Sequence, residues 1–190
     1  MRPGSLLFLG LVLTGVAGQP VLAGTNLVTN GNFATGDFTG WSPSDGSILI
    51  DNSFPPPPDS FDAAFNGGGI LSQLVPTTSG KAYTLSFSLR DEAGFFLDTF
   101  TVNFGGFSTV ITGDTAGSYQ SETFAIPGSD ITGSSTTLSF QGSNPSAQSW
   151  NLDDVSVVAA AIPEVPTGAI LGGAVLMMLS LRLRGRMTNN

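Results

Sequence analysis

Cysteine and histidine are both missing from the 190-residue chain. Their absence removes disulfides, thiolate nucleophiles, zinc sites built on sulfur or imidazole, and every catalytic triad that turns on a histidine base. Lack of cysteine does not place the chain in a reducing compartment, because a domain of about 135 residues buries enough apolar surface to fold without cross-links. Charge is scarce too, at 11% of residues, and basic charge is scarcest, with six Lys and Arg against fourteen Asp and Glu. Between residues 24 and 158 only Lys81 and Arg90 are basic, whereas thirteen acids fall there. Such a field repels phosphate backbones and anionic membrane surfaces, so no nucleic acid is expected as a partner. Helical periodicity longer than two turns is also lacking in this stretch. What the chain holds in quantity is glycine (25), proline (12), serine and threonine, the composition of a sheet-rich, turn-rich domain with a hydroxyl-covered surface.

The two ends differ from this middle. Arg2 precedes an uncharged apolar run from Leu6 to Ala17, and Val21-Leu22-Ala23 follows. Small or aliphatic residues at the positions read by signal peptidase, after a run too short to span a bilayer, predict a signal peptide over 1–23 cleaved after Ala23. At the other end, 159–190 forms a tripartite tail: a box Pro163-Glu164-Val165-Pro166-Thr167, an apolar stretch 165–181, and a basic terminus 182–190 carrying Arg182, Arg184 and Arg186. As a helix the apolar stretch would be about 26 Å long, a marginal span of the ~30 Å hydrocarbon core. The arginines would hold the C-terminus inside and leave the domain outside.

This order of box, helix and arginines resembles the PEP-CTERM sorting signal, in which a Pro-Glu-Pro box precedes a transmembrane helix and a basic end. The resemblance implies an exosortase-like processing enzyme as a partner, export across the inner membrane, at least transient anchoring with the domain outside, and delivery to the cell surface or extracellular matrix. Here Val165 interrupts the family box. A plain C-terminal anchor is the alternative, and Val165-Pro166-Thr167-Gly168 also resembles a sortase motif that lacks one residue.

Over 24–158, short apolar segments are separated by Gly, Pro, Asn and Asp, which predicts an all-β, antiparallel sandwich. Tyr83, Leu85, Phe87 and Leu89 alternate with Thr84, Ser86 and Ser88, the pattern of a strand with one face on the core. Further strands are predicted at Ile48 to Ile50, Ile70 to Val75, Phe100 to Phe104, Tyr119 to Ile126, Leu138 to Phe140 and Trp150 to Val157. Thr84-Leu85-Ser86-Phe87 recurs as Thr137-Leu138-Ser139-Phe140 without matching flanks, so it marks two similar core strands and not a repeat array. Leu152 and Val155 are three apart, so the alternation slips at Asp153-Asp154 and predicts a bulge.

The opening Asn26-Leu27-Val28-Thr29-Asn30-Gly31-Asn32-Phe33, with Gly40-Trp41, and the closing Leu152-Asp153-Asp154-Val155-Ser156-Val157 resemble the terminal motifs of galactose-binding-like and carbohydrate-binding-module jelly rolls. The resemblance implies a jelly-roll sandwich and a structural Ca2+ where the first and last strands meet, with Asn30, Asp37 and Asp153 as its ligands. Ala34 stands where the family has a glutamate. Sugar-binding faces stack rings, so Trp41, Phe95 and Phe96 are the glycan-binding candidates, although most of the fourteen phenylalanines suit a core. Catalytic equipment is thin: Asp153-Asp154 and Asp91-Glu92 are neighbours aimed at opposite faces, and Ser79 with Lys81 lacks any oxyanion pocket. The reading is a non-enzymatic cell-envelope or matrix protein associating with exopolysaccharide; the alternatives are a lectin-like carbohydrate-binding module and, third, a glycoside hydrolase.

Overall fold

The computed structural model describes residues 24–53, 55–56, 58–92, 98–113, 117–143 and 150–161. The expected signal peptide, the Pro-Glu box, the C-terminal helix, the arginines, Phe95 and Phe96 lie outside the described residues. Among the described residues no helix is long and apolar enough to cross a membrane.

Among the described residues ten strands form two five-stranded antiparallel sheets. In chain order they are β1 (Ser42–Pro43), β2 (Ile48–Asp51), β3 (Asp62–Phe65), β4 (Ile70–Pro76), β5 (Tyr83–Asp91), β6 (Thr99–Phe104), β7 (Phe107–Thr112), β8 (Gln120–Ile126), β9 (Ser135–Ser143) and β10 (Trp150–Ala159), with one short 3-10 turn at Gly128–Asp130. One sheet has the order β1-β4-β9-β6-β7 and the other β2-β3-β10-β5-β8. Successive strands mostly alternate between sheets, as in a jelly roll, and the two inner faces meet in one core.

Alternation built the clearest strands as the sequence predicts. β5 buries Tyr83, Leu85, Phe87 and Leu89 and leaves its serines and threonine half-exposed. The recurrent Thr-Leu-Ser-Phe segments lie in opposite sheets, and Phe87 of one meets Phe140 of the other edge to face at 5.3 Å. Phe140 also contacts Trp41 at 6.1 Å and Phe100 at 5.9 Å, and Phe100 in turn packs on Phe65 and Trp150, so these two rings join the aromatic core. A register shift in β10 lies between Asp153 and Ser156, at the predicted bulge.

Three strands escaped the sequence reading. β3 (Asp-Ala-Ala-Phe) has no period because both of its faces are buried, β1 is only two residues long, and β7 is an edge strand with half-exposed inward residues. Tyr119 lies just before β8 and not within it.

The segment before β1 is not a strand but a looped strap laid across the end of the sandwich. Gln73, pointing inward from β4, grips its backbone by accepting from the Thr29 amide at 2.7 Å and donating to the Thr29 carbonyl at 2.9 Å. Gly31 packs so closely on β10 that a Cβ there would collide with the Val155 carbonyl.

Candidate functional site

Strand register places one side chain from each strand of the first sheet in a single row. Ser42 opposes Ser72, Ser72 opposes Ser139, Ser139 opposes Asn103, and Asn103 opposes Ser108. Neighbouring inner-face residues such as Leu71, Val102, Leu138 and Phe140 are fully buried, so period-two alternation turns the row outward. At a strand spacing of about 4.8 Å the row runs roughly 19 Å across the sheet. Five consecutive hydrogen-bonding side chains thus cross the whole face, each a hydroxyl or an amide.

Aliphatic groups flank this row. Among the described residues Ile70, Leu74 and Val110 are three of the four exposed large hydrophobic residues, and all three project from the same outer face as the row. An exposed aliphatic side chain is unremarkable alone, but several on one face beside a polar row make an amphipathic surface. At one end of the face a depression of about 560 Å³ is lined by Asn103, Ser129, Asp130, Ser135, Thr137 and Ser139 among others. Its wall is fixed by the Gly105-Gly106 turn between β6 and β7. Gly105 has a φ of +62°, and a Cβ there would also strike the Asp130 carbonyl, so glycine is what lets the hairpin press on the 3-10 turn. Among the described residues no aromatic ring and no basic side chain lines the depression. Neutral hydroxyls and amides with one carboxylate suit a neutral, hydroxyl-rich ligand held by hydrogen bonds; nothing there pairs with an anion.

The residues expected to hold calcium fall elsewhere. Asn30 and Asp37 lie in the strap and are knitted to it. The Asn30 amide donates to the Asp37 carbonyl at 3.0 Å and accepts from the Thr35 amide at 3.3 Å. The Asp37 carboxylate accepts from the Thr35 hydroxyl at 2.7 Å and from the Thr39 amide at 2.9 Å. Bonds from Thr39 and Thr35 hold that exposed carboxyl below its usual range. Asp153, on the bulge, is fully buried; its Oδ1 accepts from the Asp154 amide at 2.7 Å, while its Oδ2 has no partner. Burial first, then the Asp154, Asp59 and Asp62 charges, push its pKa up to about 8, against the bond from Asp154. Among the described residues no three acidic side chains converge closely enough to hold a metal ion. The donors present therefore do not fit the calcium that the resemblance implies.

Of the expected glycan-binding rings, Trp41 is only 6% exposed. Its indole N–H donates to the Asn30 carbonyl at 3.0 Å, and Phe33 and Phe140 pack on it at 5.7 and 6.1 Å. It is a core ring pinned under the strap. Trp150 is buried as well, and Phe61 packs half-buried against the core.

A second polar cluster sits on the outer face of the β2-β3-β10-β5-β8 sheet. The Tyr119 hydroxyl donates to Asp62 Oδ2 at 2.6 Å and the Asn151 amide donates to Asp62 Oδ1 at 3.0 Å. Asp62 and Asn151 are fully buried. Burial raises the Asp62 carboxyl against these two bonds, and burial together with Asp62 raises the Tyr119 hydroxyl. The cluster is a buried hydrogen-bonded network within the fold. Asp154 is exposed where Asp153 is buried, so the adjacent pair does not face a common substrate. Arg90 pairs with Glu92 at 3.4 Å.

Sequence reasoning missed the polar row because each of its members is an unremarkable Ser or Asn in its own segment. Only the cross-strand register aligns them. The hydroxyl alternation in β9, Ser135, Thr137, Ser139, was the one available signal.

No family model and no curated protein matches the sequence. Solved structures do match in shape. The carbohydrate-binding module TmCBM61 in complex with β-1,4-galactotriose aligns with a TM-score of 0.54 and 18% identity over 72% of this chain and 99% of that one. The CBM22-1 xylan-binding domain from Paenibacillus barcinonensis Xyn10C aligns with a TM-score of 0.53 and 17% identity over 73% of this chain and 98% of that one. An arabinose-bound α-L-arabinofuranosidase aligns at 0.55 and 15% identity, over 76% of this chain and only 28% of that one. At these identities the likeness is one of fold: the chain has the jelly-roll sandwich of carbohydrate-binding modules.

Proposed function

We propose that the protein is a non-enzymatic carbohydrate-binding module that takes a neutral polysaccharide across the outer face of the β1-β4-β9-β6-β7 sheet. The observation that carries this reading is the row Ser42, Ser72, Ser139, Asn103, Ser108, flanked by exposed Ile70, Leu74 and Val110, with Ser139 and Asn103 also lining the 560 Å³ depression beside it. Hydroxyls and amides in register match the donor and acceptor pattern of a glycan chain, and the aliphatic flanks match the C–H faces of its rings. Fold alone would not support this, because one architecture hosts many functions. With no ring on the lining of the depression, stacking contributes little there and affinity should be modest.

The ends of the chain add the second half of the proposal. The signal-peptide pattern at 1–23 and the Pro-Glu box, apolar stretch and arginines of 159–190 support export and at least transient anchoring, which would bring the module to envelope or matrix exopolysaccharide. These residues lie outside those described, apart from 159–161.

A glycan array tests the binding reading. Binding to neutral polysaccharides with none to sulfated or uronate polymers is expected, and no binding to any glycan would overturn it. Release of reducing sugar from a bound polymer would replace it with a hydrolase. Mass spectrometry of the termini in the producing cells tests the delivery reading: cleavage after Ala23 and loss of the tail support sorting, whereas intact Met1 and Asn190 refute it.

A further inference from the structure

We infer that the junction between the N-terminal strap and the last strand is closed by side-chain amides and needs no cation. The resemblance of the terminal motifs implies a calcium at that junction, so the inference is a departure of this chain from what its motifs imply. It is independent of where a glycan binds.

The strap meets β10 through Asn26. Its Oδ1 accepts from the Val28 amide and from the Val157 amide, both at 3.0 Å, and its Nδ2 donates to the Val155 carbonyl at 3.2 Å. One side chain thus turns the strap locally and ties it to β10 at two residues on either side of Ser156. Backbone bonds continue the closure: Leu27 donates to the Val157 carbonyl and Val155 donates to the Gly31 carbonyl, each at 2.9 Å. Further along, the Asn32 amide reaches Asp59 at 3.2 Å.

Calcium needs roughly six to eight oxygens around it. At this junction the oxygens of the expected ligands Asn30 and Asp37, and the neighbouring carbonyls, already accept protein N–H or O–H groups. Asn30 Oδ1 serves Thr35, Asp37 Oδ1 serves Thr35 and Thr39, and the carbonyls of Asn30, Gly31, Asp37, Val155 and Val157 each accept at least one bond. Ala34 supplies no oxygen from its side chain. Asp153 Oδ2 is the buried, unpartnered oxygen of the bulge, and among the described residues no three acidic side chains gather around it to complete a shell.

The test is thermal melting of the full chain in excess Ca2+ and in excess EDTA. Tm values within about 1 °C of each other are expected, since a ligand that does not bind the native state contributes no stability. A site saturated a hundredfold over its Kd would instead raise Tm by roughly 5 to 15 °C. Asn26→Ala should lower Tm by roughly 5 to 15 °C in both media alike. A calcium-dependent rise in Tm of the wild-type protein overturns the inference. So does an Asn26→Ala variant as stable as wild type. Should that variant fail to fold, Asn32→Ala and the wild-type comparison still decide.

Discussion

Replacing Asp153 with asparagine isolates a buried carboxyl whose ionisation the fold opposes. The carboxyl is fully buried, has one oxygen without a partner, and titrates near 8 where an ordinary aspartate titrates near 3.8. Because the folded-state pKa is raised, the native state keeps a proton that the unfolded chain has already released. The favourable contribution is therefore complete below about pH 4, declines as pH rises from about 4 to 8, and is gone above 8. Every tenfold gain in proton affinity is worth about 1.4 kcal/mol, so the rise from 3.8 to about 8 sets a ceiling on the order of 5 kcal/mol. Relaxation and water entry around the carboxylate reduce the measurable loss to about 2 to 3 kcal/mol. Asparagine keeps the Oδ1 acceptor for the Asp154 amide and cannot ionise. Urea unfolding of wild type and Asp153→Asn at pH 5 and pH 9 reads the effect directly. Wild type should lose ~2 to 3 kcal/mol more than the variant between the two pH values. Equal pH dependence in the two proteins would refute the reasoning.

Three further outcomes follow from the same contacts. Phe140→Ala removes a fully buried ring that touches Trp41, Phe87 and Phe100, and should cost about 3 to 5 kcal/mol in a denaturant titration. Tyr119→Phe leaves Asp62 Oδ2 without its donor and should cost about 1 to 3 kcal/mol by the same assay, with no change in glycan affinity. Gly31→Ala would drive a methyl into the Val155 carbonyl and should lower Tm by roughly 5 °C or more.

Much of the fold was legible because one chemical rule acted locally. Where one face is core and the other is wet, as in β5, alternation declares the strand, and the Leu152-to-Val155 spacing declares the bulge that breaks it. Where that asymmetry is lost, the signal goes with it: Asp62 to Phe65 is buried on both sides and reads as nothing in particular. The site was harder. Asn30 and Asp37 look like ligands because they are oxygen donors, yet their geometry spends those oxygens inside the strap. Trp41 looks like a sugar platform because tryptophan often is one, yet Phe33 and Phe140 pack against it. The row from Ser42 to Ser108 is written in five separate segments, and its unity exists only in the register of the sheet.

The proposed glycan-binding surface is the outer face of the β1-β4-β9-β6-β7 sheet. Isothermal titration calorimetry with the best glycan from the array, on wild type, an Asn103→Ala/Thr137→Ala double variant and a Thr123→Ala control on the opposite sheet, tests it most directly. Loss of two ligand-facing hydrogen bonds should weaken binding by about tenfold or more in the double variant and leave the control at wild-type affinity. Unchanged affinity in the double variant, with all three proteins folded, would contradict the account.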